Sequence, residues 1–205
     1  MLNQKSILIT GGTGSLSKHL VKNILESHEP KKLIVYSRDE LKQFEMQQVF
    51  SGSKFPCMRY FLGDVRDMPR LKTAMHGVDI VIHAAALKQV PAAEYNPFEA
   101  VKTNVFGTSN VSDISVKYNV EKFVLVSTDK AVKPVNVMGA TKRLAEMVTQ
   151  NHNRIQNNTE FNISQEEIIK SINKFELQNE KLNFNTQGFY FLETFSVTGL
   201  FPLNE

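Results

Sequence analysis

Five short apolar runs punctuate the first 150 residues: Ser6–Thr10, Lys32–Ser37, Met58–Leu62, Asp79–His83 and Lys122–Ser127. Each is rich in Ile, Val, Leu or Phe and has the length of a strand. Between and after them the apolar positions take helical spacing, which predicts helices over Gly14–Ser27, Asp39–Phe50, Pro69–His76, Pro97–Tyr118 and Val135–Asn151. Local signals agree with those bounds. Asp39 can cap its helix, Pro97 suits a first helical turn, and Gly77 follows a helix as a stop. Strands alternating with helices predict an α/β fold, a doubly wound parallel sheet with right-handed crossovers.

Past about residue 150 the pattern changes, and the chain divides into a domain at 1–160 and a divergent tail at 161–205. The tail is rich in Asn and Gln. Ser164-x-x-Glu167 has capping-box spacing and opens a helix to about Leu182, with Ile168, Ile169, Ile172, Phe175 and Leu182 on one stripe. Gly188–Leu192 has the composition of a final short strand; a loosely attached tail is the alternative.

Composition narrows the class. The chain has 205 residues, 41% hydrophobic and 22% charged, which fits one globular domain. A single cysteine, Cys57, excludes an internal disulfide and suits a reducing compartment. No apolar run reaches the roughly 20 residues needed to cross a bilayer, and Ile7-Leu8-Ile9 is too short for a signal peptide. The expectation is a cytoplasmic protein without a membrane partner. Residues 1–150 carry 20 Lys/Arg against 14 Asp/Glu (+6), and residues 151–205 carry 4 against 7 (−3). The positive part suits a phosphate-bearing ligand or is a solvated surface, and it is too dilute to argue for nucleic acid.

Candidate chemistry sits where each strand ends. Thr10-Gly11-Gly12-Thr13-Gly14-Ser15-Leu16-Ser17 closes the first strand and opens the first helix, so Gly11, Thr13, Gly14, Ser15 and Leu16 are expected to cradle a pyrophosphate at the helix N-terminus. Ser17 stands where a third glycine would allow close helix–strand packing, a departure expected to cost packing and not the phosphate site. Ser37 and Arg38 end the second strand where a carboxylate would hold an NAD ribose, which favours a 2′-phosphate and NADP over the alternative that Asp39 reaches the ribose. Asp64 and Val65 follow the third strand at the adenine edge, unless Asp64 belongs to a surface turn. Ala84, Ala85 and Ala86 end the fourth strand with small side chains that leave room for the cofactor; His83 reads as a packed strand residue. The fifth strand delivers Thr128, Asp129 and Lys130 to the carboxyl edge where open α/β sheets bind ligands. Met138 and Lys142, four apart on the next helix, share a face.

The segments Tyr36–Gln43, Gly63–Asp67, His83–Pro91, Ser127–Ala131 and Met138–Lys142 together resemble the inverting UDP-N-acetylglucosamine 4,6-dehydratases. These are extended short-chain dehydrogenases of bacterial polysaccharide, flagellin-glycan and capsule biosynthesis, and the match is to the branch with Met where other members carry Tyr. It covers roughly residues 1–160 and resembles the short form without a membrane-spanning half. In short-chain dehydrogenases the catalytic set is Ser/Thr, Tyr and Lys; Thr128, Met138 and Lys142 fill those positions.

The resemblance implies a redox-neutral dehydration of a nucleotide sugar. Hydride leaves C4, the C4 ketone acidifies the C5 proton, water is lost across C5 and C6, hydride returns to C6, and C5 is reprotonated from the opposite face. Thr128 would bond the C4 oxygen, Asp129 would protonate the departing C6 hydroxyl, and Lys130 would shuttle protons at C5. A lysine near its reference pKa of about 10.4 needs roughly 4–5 kcal/mol of pressure against its charged form to act as a base at pH 7. A plain ion pair at a helix start is the other reading of Asp129 and Lys130. Lys142 would orient the nicotinamide ribose, and Met138 would pack on sugar or cofactor or be ordinary helix core. Lys88, with Asn104, is assigned to the substrate side, Asn104 also resembling a structural Asn that links helix and strand backbones. Glu94, Tyr95 and Asn96 either line the pocket or are solvated loop.

Relatives of this type continue into a C-terminal domain that grips UDP and sugar, and no such motif follows Asn162. The expectation therefore includes a truncated or frame-disrupted, inactive NADP-binding domain as the alternative to the enzyme. A reductase or 4-epimerase is weaker, because Met138 replaces the proton-transferring Tyr. Self-association is left open.

Overall fold

The structure is a computed structural model; it describes residues 2–155 and the short strands at 183–184 and 190–192. Among these residues the strands are β1 (Ser6–Thr10), β2 (Lys32–Ser37), β3 (Met58–Leu62), β4 (Ile80–His83), β5 (Lys122–Val126), β6 (Asn183–Phe184) and β7 (Tyr190–Leu192), ordered β3-β2-β1-β4-β5-β7-β6. β1 to β5 pair in parallel, β7 adds in parallel to β5, and β6 runs antiparallel to β7. The order reverses between β1 and β4, which opens a crevice at their carboxyl ends. The helix expected at 164–182 lies outside the described residues.

A two-residue side-chain period sorts the strands onto two cores. Leu8, Ile34, Tyr36 and Val81 point to one face, where they meet Leu71, Met75, Val111, Ile114 and Ala145. Ile7, Ile9, Leu33, Val35 and Ile80 point to the other, against Val21, Ile24 and Met46. Both faces are covered, which is why the runs are apolar throughout.

The helices are α1 (Ser15–Ser27), α2 (Glu40–Val49), α3 (Met68–Met75), α4 (Val90–Tyr95), α5 (Pro97–Ala100), α6 (Gly107–Lys117) and α7 (Val137–Ile155). The Asp39 and Asp67 side chains cap α2 and α3 by accepting from the backbone N–H groups of Lys42 and Arg70. Two features differ from the sequence expectation. The single helix expected over Pro97–Tyr118 is interrupted by a π-helical stretch at Val101–Phe106, and α4 was not expected at all. α4 is one and a half turns with a proline in its first turn, so its pattern is too short to show a period.

Candidate functional site

A cleft of about 260 Å³ opens beside the carboxyl ends of β1, β2 and β3. Of the residues expected around a dinucleotide it is lined by Gly11, Thr13, Ser37, Arg38, Asp64, Val65, Ala85 and Ala86, joined by Tyr36, Asp39, Lys42, Gly63 and Thr103. Its floor is a chain of short contacts. Gly11 has φ +63°, and a Cβ there would lie 2.7 Å from the Ala85 nitrogen and 2.8 Å from the Ala84 carbonyl, so only glycine lets the loop meet the end of β4. Ala84 thus acts through its backbone beneath the loop. Thr13 Oγ1 and Ser37 Oγ share a hydrogen bond of 2.9 Å, and Gln43 Nε2 donates to the carbonyls of Ser37 (2.8 Å) and Phe61 (2.9 Å), tying β2 to β3.

Gly14 and Ser15 are exposed at the N-terminus of α1, whose first turn has no side-chain cap. The helix end, with Leu16 half-buried behind it, therefore keeps its N–H groups available to an anion. Ser17 does more than substitute for glycine. Its hydroxyl, 1% exposed, donates to the Gly11 carbonyl at 3.0 Å and fastens helix to loop, so the expected packing cost is offset by a bond.

Asp39 is spent on α2. It accepts from the Lys42 backbone at 3.0 Å and pairs with the Lys42 ammonium at 3.0 Å, and those bonds hold its carboxyl below the ordinary range. Arg38 projects over the cleft with its side chain 56% exposed, 3.6 Å from Asp64. Asp64 accepts two side-chain bonds from Arg66 at 3.0 and 2.8 Å. Burial pushes the Asp64 carboxyl up, but the Arg66 bonds and the charges of Arg66 and Arg38 outweigh it, and the group is an ionised carboxylate.

His83 is fully buried, and donor counting fixes its tautomer. Thr108 Oγ1 donates to the Asn104 carbonyl (2.6 Å), so at 3.0 Å from His83 Nε2 it can only accept. The ring therefore carries its proton on Nε2 and accepts from Thr10 Oγ1 at Nδ1 (2.6 Å), while the Ala85 N–H donates to Thr10 Oγ1 (3.3 Å). Burial, aided by the Lys142 charge, lowers its pKa to about 3. His83 is a packed link between β1, β4 and α6.

At its carboxyl end β5 runs into Thr128, which opens a 3₁₀ turn at Asp129–Ala131. Thr128 Oγ1 donates to Asp129 Oδ1 at 2.9 Å, the Lys130 N–H donates to the same oxygen at 2.9 Å, and Lys130 Nζ lies 3.5 Å from it. Partial burial pushes the Asp129 carboxyl up, but the Thr128 bond, the Lys130 charge and the Lys130 amide together draw it below the ordinary range. In this geometry Asp129 is a carboxylate and not a standing acid. Gly139 lets α7 press against this turn, since a Cβ there would run into the Lys130 carbonyl. α7 is capped from two sides: Asn136 Oδ1 accepts from the Gly139 N–H (2.7 Å), and Glu94 of α4 accepts from the Val137 N–H (2.7 Å). Glu94 therefore supports the start of α7. Tyr95 and Asn96 are exposed.

Three expected site residues are buried. Met138 is 4% exposed and packs with Ala93 and Ala100, beside Leu87, Val90 and Val137. It is helix core, the second of the two placements that the sequence left open. Asn104 is fully buried: its carbonyl oxygen accepts from the Leu87 N–H (2.8 Å), and its amide donates to the Leu87 carbonyl (3.0 Å) and to Thr141 Oγ1 (2.9 Å). With its amide committed inside the protein, it is removed from the substrate side. Lys142 is buried and donates to the Val126 carbonyl at 2.6 Å; burial, against the raising charge of Glu146, lowers its pKa to about 8. Its ammonium lies behind the end of β5 and does not line the cleft. Lys88 is exposed ahead of α4. Sequence reasoning missed Glu146, which accepts from Ser127 Oγ and from Arg143 (2.8 Å) under the end of β5. Among the described residues no cluster suits a metal ion and no helix is long and apolar enough to cross a membrane.

A glycine turn from β1 into an uncapped helix, a cleft at the β1/β4 reversal, and Thr-Asp-Lys at the end of β5 define a dinucleotide-binding domain of the short-chain dehydrogenase type. More narrowly, the chain belongs to the polysaccharide biosynthesis protein family, whose profile matches residues 7–166. It is 54% identical over 166 residues to an inverting UDP-N-acetylglucosamine 4,6-dehydratase of Campylobacter jejuni, covering 80% of this chain and 49% of that one. It is 47% identical over 149 residues to a UDP-glucose 4-epimerase of Rickettsia canadensis, covering 71% and 43%. Among solved structures it is similar to Pen from Bacillus thuringiensis, with a TM-score of 0.74, 40% identity, and coverage of 78% of this chain and 49% of that one. The chain thus spans about half the length of the curated relatives it matches.

Proposed function

We propose that the chain binds NADP and carries the catalytic half of an inverting 4,6-dehydration of UDP-N-acetylglucosamine in surface-glycan synthesis. The observation that carries this reading is the Thr128-Asp129-Lys130 turn, presented at the strand ends beside a dinucleotide cleft. The bound nicotinamide would supply reversible oxidation at the sugar. The residues present fit it: Gly11 leaves no Cβ over the cleft floor, the N-terminus of α1 is free for the pyrophosphate, and Arg38 stands over the cleft for a 2′-phosphate.

Thr128 holds the C4 oxygen. Asp129 begins as a carboxylate, so the proton it gives to the departing C6 oxygen must first reach it. The proton that the C4 hydroxyl loses on oxidation is at hand, passed on by Thr128, whose Oγ1 donates to Asp129 Oδ1 at 2.9 Å. Lys130, 3.5 Å from Asp129, in its neutral form takes the C5 proton and returns one to C5, so both groups end as they began. Lys142, behind the strand end, holds the Val126 carbonyl and with it the start of the turn. A 4-epimerase, the activity named for the Rickettsia relatives, is disfavoured because Met138 has no proton to transfer and is packed away from the cleft.

Purified protein incubated with NADP and UDP-N-acetylglucosamine should yield a 4-keto-6-deoxy product by mass spectrometry, and Lys130→Ala should abolish it while sparing cofactor affinity. The second reading left open by the sequence is an NADP-binding domain without turnover. Cofactor binding with no product establishes that one, and a product of unchanged mass identifies an epimerase.

A further inference from the structure

Apart from the neutral His83, the charged side chains buried among the described residues are Lys142, 4% exposed, and Glu146, 8% exposed. They stand one turn apart on α7, and both reach the end of β5. Burying a charge is costly unless bonds compensate it there. Lys142 donates to the Val126 carbonyl at 2.6 Å, and Glu146 Oε1 accepts from the hydroxyl of the next residue, Ser127. The second carboxylate oxygen, Oε2, accepts from Arg143 at 2.8 Å. That pair does not explain the burial. The Arg143 side chain is 48% exposed, and an ion pair on a helix surface needs no desolvated partner. Ser127 is buried, and a hydroxyl bonds more strongly to a charged oxygen than to a neutral one.

The contacts of α7 follow the chain that they face. Gly139, Lys142 and Glu146 take successive turns of one helix face. They meet the Lys130 carbonyl, the Val126 carbonyl and the Ser127 hydroxyl. The strand end is thus gripped just before Thr128 and again just after Asp129, two residues joined to each other at 2.9 Å. Thr128 is extended, with φ −156° and ψ 149°, so a shift of Ser127 passes straight into it.

We propose that Glu146 is a positioning residue for the dehydration: through Ser127 it fixes Thr128 and Asp129 where they meet the sugar, touching neither substrate nor cofactor. This role rests on the reaction proposed above and deepens it. The Glu146 charge also supports Lys142, raising a pKa that burial lowers. Both anchors at the strand end therefore depend on one carboxylate.

The test uses the full chain with Glu146→Ala, Glu146→Gln, Ser127→Ala and the double variant Ser127→Ala/Glu146→Ala. Turnover of UDP-N-acetylglucosamine gives kcat and KM, and calorimetry gives NADP affinity. Glu146→Ala should lower kcat at least about tenfold while KM and NADP affinity stay within about twofold, the signature of misplaced reacting groups. Glu146→Gln keeps an oxygen that accepts from Ser127 and should hold kcat within about threefold of the parent. Ser127→Ala should match Glu146→Ala, and the double variant should lose no more than either single, because one contact carries both effects. An unchanged kcat in Glu146→Ala overturns the proposal. So do parallel losses in kcat, KM and NADP affinity, a Gln variant as poor as the Ala variant, or losses that multiply in the double variant. Amide hydrogen exchange of Ala131 and Val132, whose N–H groups donate to the Thr128 and Asp129 carbonyls, gives a readout free of turnover. It should quicken in Glu146→Ala and Ser127→Ala with the amides of β1 and β2 unaffected, and unchanged exchange overturns the hold on the turn. A parent that binds NADP but makes no product overturns the reaction reading instead, and quickened exchange then leaves Glu146 as the holder of the turn alone.

Discussion

The Asn104 amide donates to Thr141 Oγ1 at 2.9 Å while the same side chain holds both backbone groups of Leu87, so one buried residue sets the distance between the segment after β4 and helix α7. Asn104→Ala would leave the Leu87 N–H and carbonyl unpaired in a buried site. Its expected cost is about 2–4 kcal/mol of unfolding free energy, read as a shift of the urea midpoint at unchanged slope.

Gly139→Ala tests the contact between α7 and the Asp129–Ala131 turn. The added methyl meets the Lys130 carbonyl, which is backbone and cannot swing aside, so the turn must move. Turnover of the proposed reaction should fall at least about tenfold, since small misplacements of reacting groups are costly, while NADP affinity stays within about twofold because the cleft residues are not touched.

His83 predicts an acid limb. Its pKa is about 3 in the folded chain against an ordinary 6.5, so between those values the unfolded state binds more protons and stability rises with pH. Stability from this group is complete above about 6.5 and is lost as pH falls toward 3, with a slope of at most about 1.4 kcal/mol per pH unit. His83→Asn should flatten that limb in pH-dependent urea denaturation, and ¹⁵N NMR of the parent should show the Nε2–H tautomer persisting below pH 5.

Lys142 predicts the opposite end of the scale. Its folded pKa of about 8 lies below the ordinary 10.5, so stability rises through that window as the buried ammonium loses its proton. Lys142→Met should remove the rise, visible as a smaller gain in unfolding temperature between pH 8 and 10. An equal gain in parent and variant refutes the assignment.

Under the proposed NADP preference, Arg38→Ala should lower NADP affinity at least about tenfold and leave NAD affinity within about threefold, because the guanidinium would pair with the 2′-phosphate that NAD lacks. Fluorescence titration with the two reduced cofactors decides it. Equal losses would make Arg38 a general wall of the cleft.

The five principal strands and the glycine turn were readable because each has a local cause: apolar runs of strand length, and glycines where a Cβ would strike Ala84 and Ala85. Asp39 as the cap of α2 was equally local. What stayed hidden depends on partners far along the chain. Glu94 caps a helix 43 residues away, Met138 faces Ala93 and Ala100, and Lys142 turns to Val126 and not to the cleft. Spacing on α7 correctly put Met138 and Lys142 on one side, but it did not say that this side is the protein interior. The protonation state of Asp129 was also out of reach, since it follows from Thr128 and Lys130 closing on one oxygen.

The π-helical stretch at Val101–Phe106 works as a phase shifter. One surplus residue rotates everything after it by about 100° relative to an uninterrupted helix. Ahead of the shift the helix follows Pro97; behind it Gly107 lies on Val65 and Thr108 reaches His83. A deletion of one residue within the stretch would leave a better helix by every local measure and a worse protein. It would turn Gly107 away from Val65 and Thr108 away from the ring it now accepts from. Length in this segment is therefore under tighter constraint than residue identity, and alignments of related chains should place insertions and deletions elsewhere.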